Sequence, residues 1–557
     1  MVKEASETCS STPCRGNTSG VVADSAAPDL TSASVGTAVK GTCGISEDLS
    51  GGVGPWSDLN WLENILTRHK RQATWWLAGT VFVGLNVLLR FSIHQPPVWD
   101  GAMSVYPAAI ELSRTDFDFA RLFALPTYAE GGPNTHASSP WTIMVAALIS
   151  LTGSLGNALP ILHVISFGLA ALTVAATYRL IAHSAPGLIA VLGALAVLLF
   201  PPMIAQTADV YLDLPLTCLG TWGLVMLLER RFIAASVLIT LAVWIKPLAV
   251  IYAAVLLGFL LIYGEQRRRV SRAIVLAIPP LVAAALVSVV NASEGSRLPA
   301  LDRYAAAIRA SGDFLATMPD VLIMGGVALA LIVISIKEQT SLEIFRIMSL
   351  TLVAVLAFVL LNPFVSQGIP FLPRYYIAVA PAVVAGILTF LSVKWRPAGL
   401  VAVSVLLLAF AININGRFYS FTDHPYYALS ERSLAYRDLL ALQLGDVALL
   451  SELSREMPVY YDYFGFYRLE YSELGYSDGP LESGISVFHH RELAEAPLAE
   501  LPDRFAFIFE YPVLGGEVLL RIWDEAKAAG AHVVETALTR GPYTVYVIEV
   551  NQGGAGP

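Results

Sequence analysis

The sequence predicts a polytopic α-helical membrane protein, with about 11 transmembrane helices and a small α/β domain at its C-terminal end. Of the 557 residues, 55% are hydrophobic and 14% are charged, whereas soluble domains have about 25% charged residues. The net charge of −9 is uneven, because residues 415–557 carry −11 and the rest of the chain carries +2. This pattern indicates a nearly neutral membrane body joined to an acidic, polar domain.

The composition also excludes several classes of protein. It rules out a purely soluble enzyme, a disordered chain and a disulfide scaffold, and the acidic balance argues against nucleic acid as a partner. The four cysteines are Cys9, Cys14, Cys43 and Cys218. Because none follows Cys218, no disulfide bond can cross-link the C-terminal half. The sequence contains neither a Gly-rich phosphate loop nor a nucleotide-binding fingerprint.

The N-terminal segment 1–73 is predicted to be disordered and cytoplasmic. Its first 55 residues are rich in Ser, Thr, Gly and Ala and nearly free of aromatic residues. Such a segment buries too little apolar surface to offset its chain entropy. No apolar run follows Met1, so no cleavable signal peptide is expected.

Residues 74–414 form the predicted transmembrane domain, because a spanning helix needs about 20 mostly apolar residues. The predicted spans are 74–92, 158–182, 186–204, 213–228, 232–245, 248–264, 273–291, 320–336, 344–361, 375–393 and 398–414. The apolar stretch 140–152 is too short to assign by length alone.

The positive-inside rule decides whether residues 140–152 span the membrane. If 140–152 does not span, the Lys and Arg clusters between later spans all fall on the cytoplasmic side; if it spans, they move outside. We therefore predict a juxtamembrane helix at the outer face, within a large external loop, 93–157. The protein is placed in the cell (inner) membrane, with its N-terminus cytoplasmic and residues 415–557 periplasmic or extracellular.

The sequence predicts a small α/β fold for the external C-terminal domain. Helices are predicted near 431–456 and 516–529, and strands at 459–467, 485–489, 505–510, 532–537 and 543–550. Two roles stay open for it: shaping acceptor access or binding glycan, and acting as a structural lid.

Five ionisable residues fall at the outer face in this topology: Asp100, Asp209, Asp213, Lys246 and Arg374. Charged groups near lipid are costly, so they indicate function. The acids suit a general base or a partner for a hydroxyl group, and the cations suit a phosphate. The structural alternatives are helix capping for Asp100 and Asp213, solvation of a loop for Asp209, snorkelling for Lys246 and interfacial anchoring for Arg374.

Five segments, in order along the chain, carry a resemblance to a known class. They are WDGAMSVYPAA, GGPNTHASSPW, DVYLDLPL, AVWIKPLAV and FLPRYYIAVAPAV. Over residues 74–414 the chain resembles the GT-C membrane glycosyltransferases, and especially bacterial relatives of protein O-mannosyltransferases and of the lipid A aminoarabinose transferase. It departs from their pattern in two places. Gly101 follows Asp100 where the family has a second acid, and the family's His-Pro-Pro is reduced to His136 and Pro140.

The resemblance implies an inverting hexosyl- or pentosyltransferase. Such enzymes move a sugar from a polyprenyl-phosphate carrier at the outer face to an acceptor hydroxyl on a lipid, glycan or protein. By position, Asp100 is the expected base. The phosphate-binding residues are Lys246, Arg374 and Tyr375, and the acceptor or sugar contacts are Asp213, Glu111 and His136. No cofactor and no metal is expected, although Asp100 with Asp213 is the place for the divalent ion of a metal-dependent branch.

Three alternatives remain open at this stage. Intramembrane charges also mark the substrate paths of membrane transporters. A non-catalytic protein that binds lipid-linked sugars, or a polymerase or ligase acting on lipid-linked glycan, would have the same general organisation.

Overall fold

The computed structural model describes residues 63, 65–66, 68–98, 101–123, 139–263, 269–290, 319–337, 342–365, 373–415, 433–461, 471–476, 487–489, 498–511, 516–540 and 543–552. Asp100, His136 and residues 1–62 therefore lie outside the described residues. The end of the predicted disordered segment 1–73 is ordered where it is described. Glu63 accepts hydrogen bonds from the backbone N–H groups of Gly187 (2.6 Å) and Leu188 (3.2 Å).

The helical region occupies the segments that the sequence predicted to span. In chain order its helices are α1 (Lys70–Leu88), α2 (Tyr106–Arg114), α3 (Phe119–Phe123), α4 (Pro140–Thr152), α5 (Leu155–Ile181), α6 (Gly187–Leu199), α7 (Pro201–Asp209), α8 (Asp213–Leu228), α9 (Phe232–Ile245), α10 (Val250–Tyr263), α11 (Arg269–Val290), α12 (Pro319–Lys337), α13 (Leu342–Val365), α14 (Ala380–Lys394) and α15 (Arg396–Ile412). Each predicted span is therefore helical, and the predicted helix at 140–152 is confirmed as α4.

The outer surface of this helical region is strongly apolar. Trp76, Ile233 and Leu88 are 77%, 74% and 73% exposed, and large exposed apolar surfaces mark contact with another apolar phase. Among the described residues, three helices are long and apolar enough to cross a bilayer, or four if the bent pair α6–α7 counts as one span. The other apolar helices are shorter, so the total of eleven spans stays a prediction.

Proline residues explain why several of these helices are short. Pro201 and Pro202 start α7 directly after α6, and the two helices meet at a bend of 62°. Pro247 follows the end of α9, and it disfavours a helical conformation at Lys246, which is extended with φ −152° and ψ 129°. The break at Pro247 matters for the site because Lys246 lies at it.

Close helix packing at Gly220 of α8 gives a testable stability effect. A Cβ at this position would overlap the ring of Tyr252, whose hydroxyl donates to the carbonyl oxygen of Ala378 (2.6 Å). We expect Gly220→Ala to lower the free energy of unfolding by about 1–3 kcal/mol through overpacking. Thermal unfolding in detergent measures this. Gly84→Ala is the matched control, because a Cβ there has no neighbour within 4 Å; equal midpoints for the two variants would contradict the packing.

The C-terminal α/β region (433–552) has a sheet covered by helices. Its elements are α16 (Tyr436–Glu456), β1 (Val459–Tyr461), β2 (Val487–His489), β3 (Arg504–Tyr511), α17 (Gly516–Ala528), β4 (His532–Arg540) and β5 (Tyr543–Asn551). The strand order is β2-β1-β3-β5-β4, with β1 parallel to β2 and β3, and β5 antiparallel to β3 and β4. The region thus contains both helices and strands; its identity as a separate external domain stays a prediction.

Both faces of the sheet are covered at the central strand β3, whose successive side chains point to opposite faces, whereas β4 is mostly exposed. Phe505 and Phe507 belong to a small core with Ile522 of α17. Ala506 and Ile508 belong instead to the large apolar core that also contains the interior of the helical region. The C-terminal α/β region thus shares a continuous core with the helices; its boundary at residue 415 stays a prediction.

Candidate functional site: a buried cation cluster

Three charged residues lie where helices begin or break. Asp213 is the first residue of α8, and Lys246 follows the last residue of α9. Arg374 lies in a short 3-10 helix, Pro373–Ala378, just before α14. Helix ends present side chains and unpaired backbone groups in one place, which suits a polar site inside an apolar body.

The three residues form one ion-paired group, although they are far apart in sequence. The Nζ atom of Lys246 is 2.9 Å from both carboxylate oxygens of Asp213. The Nε atom of Arg374 is 3.5 Å from Oδ2 of the same carboxylate. The residues are 7%, 3% and 0% exposed for Lys246, Arg374 and Asp213, so the pairing takes place away from bulk solvent.

Two tyrosine rings lie against both cations. Nζ of Lys246 is 5.0 Å from the ring centroid of Tyr211 and 4.7 Å from that of Tyr375. Cζ of Arg374 is 4.9 Å and 5.3 Å from the same two centroids. These distances are within the range of cation–π attraction, about 6 Å. Asp213, Lys246, Arg374, Tyr211 and Tyr375 are called the Asp213 cluster below.

The cluster has the chemistry of an anion site. Lys246 and Arg374 place two buried positive charges around the Asp213 carboxylate, and two adjacent cations attract an anion. Lysine supplies a compact charge and arginine a planar fork of donors, and both bind phosphate. Rigid, poorly hydrated donors also stabilise charge that develops during a reaction.

The start of α4 contacts the backbone next to the cluster. Ser139 is the N-cap of α4 and accepts from the N–H of Trp141 (3.3 Å). Its hydroxyl also donates to the carbonyl oxygen of Ile245 (3.1 Å), the residue before Lys246. The predicted juxtamembrane helix is therefore held beside the break that carries Lys246.

The short loop between α7 and α8 joins the cluster to α2. The hydroxyl of Tyr106 donates to the carbonyl oxygen of Val210 (2.9 Å). Val210 has φ 58°, a left-handed conformation that is strained for a β-branched residue and is found mainly where surroundings enforce it. Burial, together with the nearby Asp209 carboxylate, raises the pKa of Tyr106 well above its usual value, so its hydroxyl stays a donor.

The structure brings together four of the residues singled out from the sequence: Asp213, Lys246, Arg374 and Tyr375. Burial of both cations contradicts snorkelling and interfacial anchoring. The N-cap of α8 is Leu212 rather than Asp213, so capping does not explain this acid. The roles in catalysis and binding stay predictions.

The other predicted residues fall elsewhere. Glu111 of α2 pairs with Arg114 (2.8 Å), which also pairs with Glu473 of the C-terminal α/β region. Asp100 and His136 lie outside the described residues. No group of three or more His, Cys, Asp or Glu side chains that would hold a metal ion occurs in the described part of the chain.

Sequence reasoning missed Tyr211 and underrated Asp209, which was assigned to loop solvation. Both lie in the quoted segment DVYLDLPL. The signal was the aromatic residue between two acids, but an exposed loop tyrosine gives the same pattern. Only the fold shows that its ring faces two cations.

Comparison with known proteins gives a coarse likeness. No family model matches the chain, and no curated protein does. Two solved structures of ArnT from Cupriavidus metallidurans are similar, one bound to undecaprenyl phosphate and one in the apo state. Their TM-scores are 0.44 and 0.45 at 14% and 15% identity, over 87% of this chain and 100% of theirs. The likeness assigns no activity to this chain.

Proposed function

We propose that this chain is a membrane glycosyltransferase of the GT-C type. It transfers a hexosyl or pentosyl group from a polyprenyl-phosphate carrier to an acceptor hydroxyl, with inversion at the anomeric carbon. The Asp213 cluster is the observation that carries the proposal, because it places two buried cations around one carboxylate. The order of the five quoted sequence segments supports the same reaction.

The phosphate of the donor fits the charge of the cluster. In the donor the phosphate is a diester; when the bond from the anomeric carbon to its oxygen breaks, it leaves as a monoester with one more negative charge. Lys246 and Arg374 stabilise this added charge, as positioned cations do in phosphoryl and acyl transfer. Asp213 holds the two cations at the distances described.

Asp100 is the proposed base. It takes the proton of the acceptor hydroxyl as the oxygen attacks the anomeric carbon from the face opposite the phosphate. Its assignment rests on its place in WDGAMSVYPAA and on the chemistry, because inversion needs one carboxylate on the acceptor side. Asp213 is paired with two cations, which leaves it poorly suited to accept that proton.

The proposed arrangement in the cell membrane follows from the charges in the sequence. The N-terminus is cytoplasmic, and the Asp213 cluster and the C-terminal α/β region face the periplasm or exterior. The polyprenyl tail lies between apolar helices of the bundle, and the acceptor is a lipid, a glycan or a protein. Neither a nucleotide nor another cofactor takes part in the proposed reaction.

A transfer assay tests the proposal. The protein, reconstituted in nanodiscs, is given a panel of radiolabelled polyprenyl-phosphate sugars with membrane extract as acceptor. We expect label transfer from one donor, and a loss of about 100-fold in kcat/KM for Lys246→Ala, the size seen when one donor to a developing anion is removed.

Lys337→Ala is the matched control, because Lys337 is an exposed lysine at the end of an apolar helix. It is expected to keep wild-type activity. Absence of transfer from every donor by folded protein would contradict the proposed reaction. Full activity of Lys246→Ala would contradict the role of the Asp213 cluster.

A further inference from the structure

The short segment Gln95–Val98, which is followed by Trp99 and the proposed base Asp100, is held from several sides. Oδ1 of Asp209 accepts from the N–H of Val98 (3.2 Å). Nε2 of His163, on α5, is 3.4 Å from the carbonyl oxygen of Gln95. An irregular segment that is bound along its length is expected to be rigid, because each of these bonds removes backbone freedom.

The C-terminal α/β region supplies two further contacts to this segment. The hydroxyl of Tyr476 donates to the carbonyl oxygen of Pro97 (2.8 Å). The hydroxyl of Tyr436, on α16, donates to Oε1 of Gln95 at the longer distance of 3.5 Å. Tyr476 and Tyr436 are 4% and 2% exposed, so water does not readily replace either contact.

The turn that carries Tyr476 is itself fixed against α2. Glu473 in this turn pairs with Arg114, and the guanidinium of Arg114 lies 5.9 Å from the ring centroid of Tyr471. Gly475 has φ 87°, and a Cβ there would be 3.8 Å from Cβ of Pro96. Residues 471–476 therefore pack between α2 and the Gln95–Val98 segment.

The two described residues that flank Trp99–Asp100 are also close to each other. The N–H of Gly101 donates to the carbonyl oxygen of Val98 (3.1 Å), and a Cβ on Gly101 would be 3.3 Å from Cβ of Pro97. Contacts that fix Pro97 and Val98 therefore act on the chain directly before the dipeptide, and the contacts of Gly101 act directly after it.

We propose that Tyr476 and Tyr436 are positioning residues for the transfer step, acting through Asp100. They hold Gln95–Val98 against Asp209, in the loop that leads to Tyr211 and the Asp213 cluster. The C-terminal α/β region thereby sets the alignment of base and phosphate site. This inference rests on the proposed glycosyltransferase reaction and gives that region a part in catalysis.

The expected signature is a loss of turnover without a loss of donor affinity. Phenylalanine keeps each ring and removes only the hydroxyl. The double variant Tyr436→Phe/Tyr476→Phe is expected to lower kcat about 10-fold, because small misplacement of a reacting group costs one to two orders of magnitude. The KM for the polyprenyl-phosphate sugar and the thermal unfolding midpoint should stay near the wild-type values. Tyr546→Phe, at a partly buried tyrosine packed against the small core of the same region, is the matched control and should not change kcat.

A mutant cycle with Asp100→Asn separates positioning from general support of the fold. In the Asp100→Asn background, Tyr476→Phe should cause no further loss, because the group it positions has been removed. An equal fractional loss in both backgrounds, or wild-type kcat in the double tyrosine variant, would overturn the inference while leaving the proposed reaction intact. Absence of transfer by the wild-type protein from every donor would overturn the proposed reaction itself.

Discussion

Replacing Asp213 with alanine is expected to destabilise the protein by about 3–5 kcal/mol, the usual cost of removing one partner from a buried ion pair. Lys246 and Arg374 would then lie close together with the shared carboxylate gone. Thermal unfolding of the purified protein in detergent measures the effect. Glu229→Gln is the control, because Glu229 pairs with Arg179 where both side chains are about one fifth exposed, and an ion pair that solvent reaches contributes less than a buried one.

A ligand test makes the same prediction sharper. If the Asp213 cluster binds phosphate, added polyprenyl phosphate supplies negative charge where the carboxylate was lost. It should therefore raise the unfolding midpoint of Asp213→Ala by more than it raises that of the wild type, through preferential binding to the folded state. An equal shift in both proteins, or a Glu229→Gln effect as large as that of Asp213→Ala, would contradict the electrostatic account of the cluster.

The second large effect is expected for Asp100→Asn. The amide keeps the size of the side chain but cannot take the acceptor proton, so kcat should fall by about 10²–10⁴-fold, the contribution of a positioned base. The affinity for the polyprenyl-phosphate donor should stay unchanged, because Asp100 is not assigned to the phosphate. Steady-state kinetics, together with direct donor binding, separates the two quantities.

Asp118→Asn is the control for this variant. Asp118 is an exposed acid in the same predicted external loop, and its Oδ1 accepts from the N–H of Ala120 (3.0 Å) and of Arg121 (3.2 Å). We expect it to retain wild-type turnover. Wild-type turnover by Asp100→Asn would exclude Asp100 as the base and would transfer that role to another acid, with Glu111 the first to test.

Local patterns in the sequence predicted most of the helices and strands. Apolar run length locates α8 and α9 to within a residue, because proline or charge ends each run sharply. The alternation of apolar and polar residues located the strands β3 and β5. The number of spanning helices is harder to predict, because the bend at Pro201 and the break at Pro247 divide apolar stretches into short pieces.

The candidate site was predicted only in part. Lys246 and Arg374 stood out because charges are rare in apolar segments, but their shared carboxylate depends on packing between α8, the end of α9 and the Pro373–Ala378 turn. The contact between Tyr436 and Gln95 joins residues 341 positions apart. No local periodicity encodes such a contact, so the link between the C-terminal α/β region and Gln95–Val98 required the fold.

The central claim is that the Asp213 cluster binds the phosphate of a polyprenyl-phosphate donor. Its most direct test compares the binding of polyprenyl phosphate and of the uncharged polyprenol of equal length to wild-type protein and to Lys246→Ala. We predict that the wild type binds the phosphate at least about 10-fold more tightly than the alcohol, as one charge-assisted hydrogen bond implies. Lys246→Ala should lose most of that difference while binding the alcohol normally. Equal wild-type affinity for the two lipids would contradict the account.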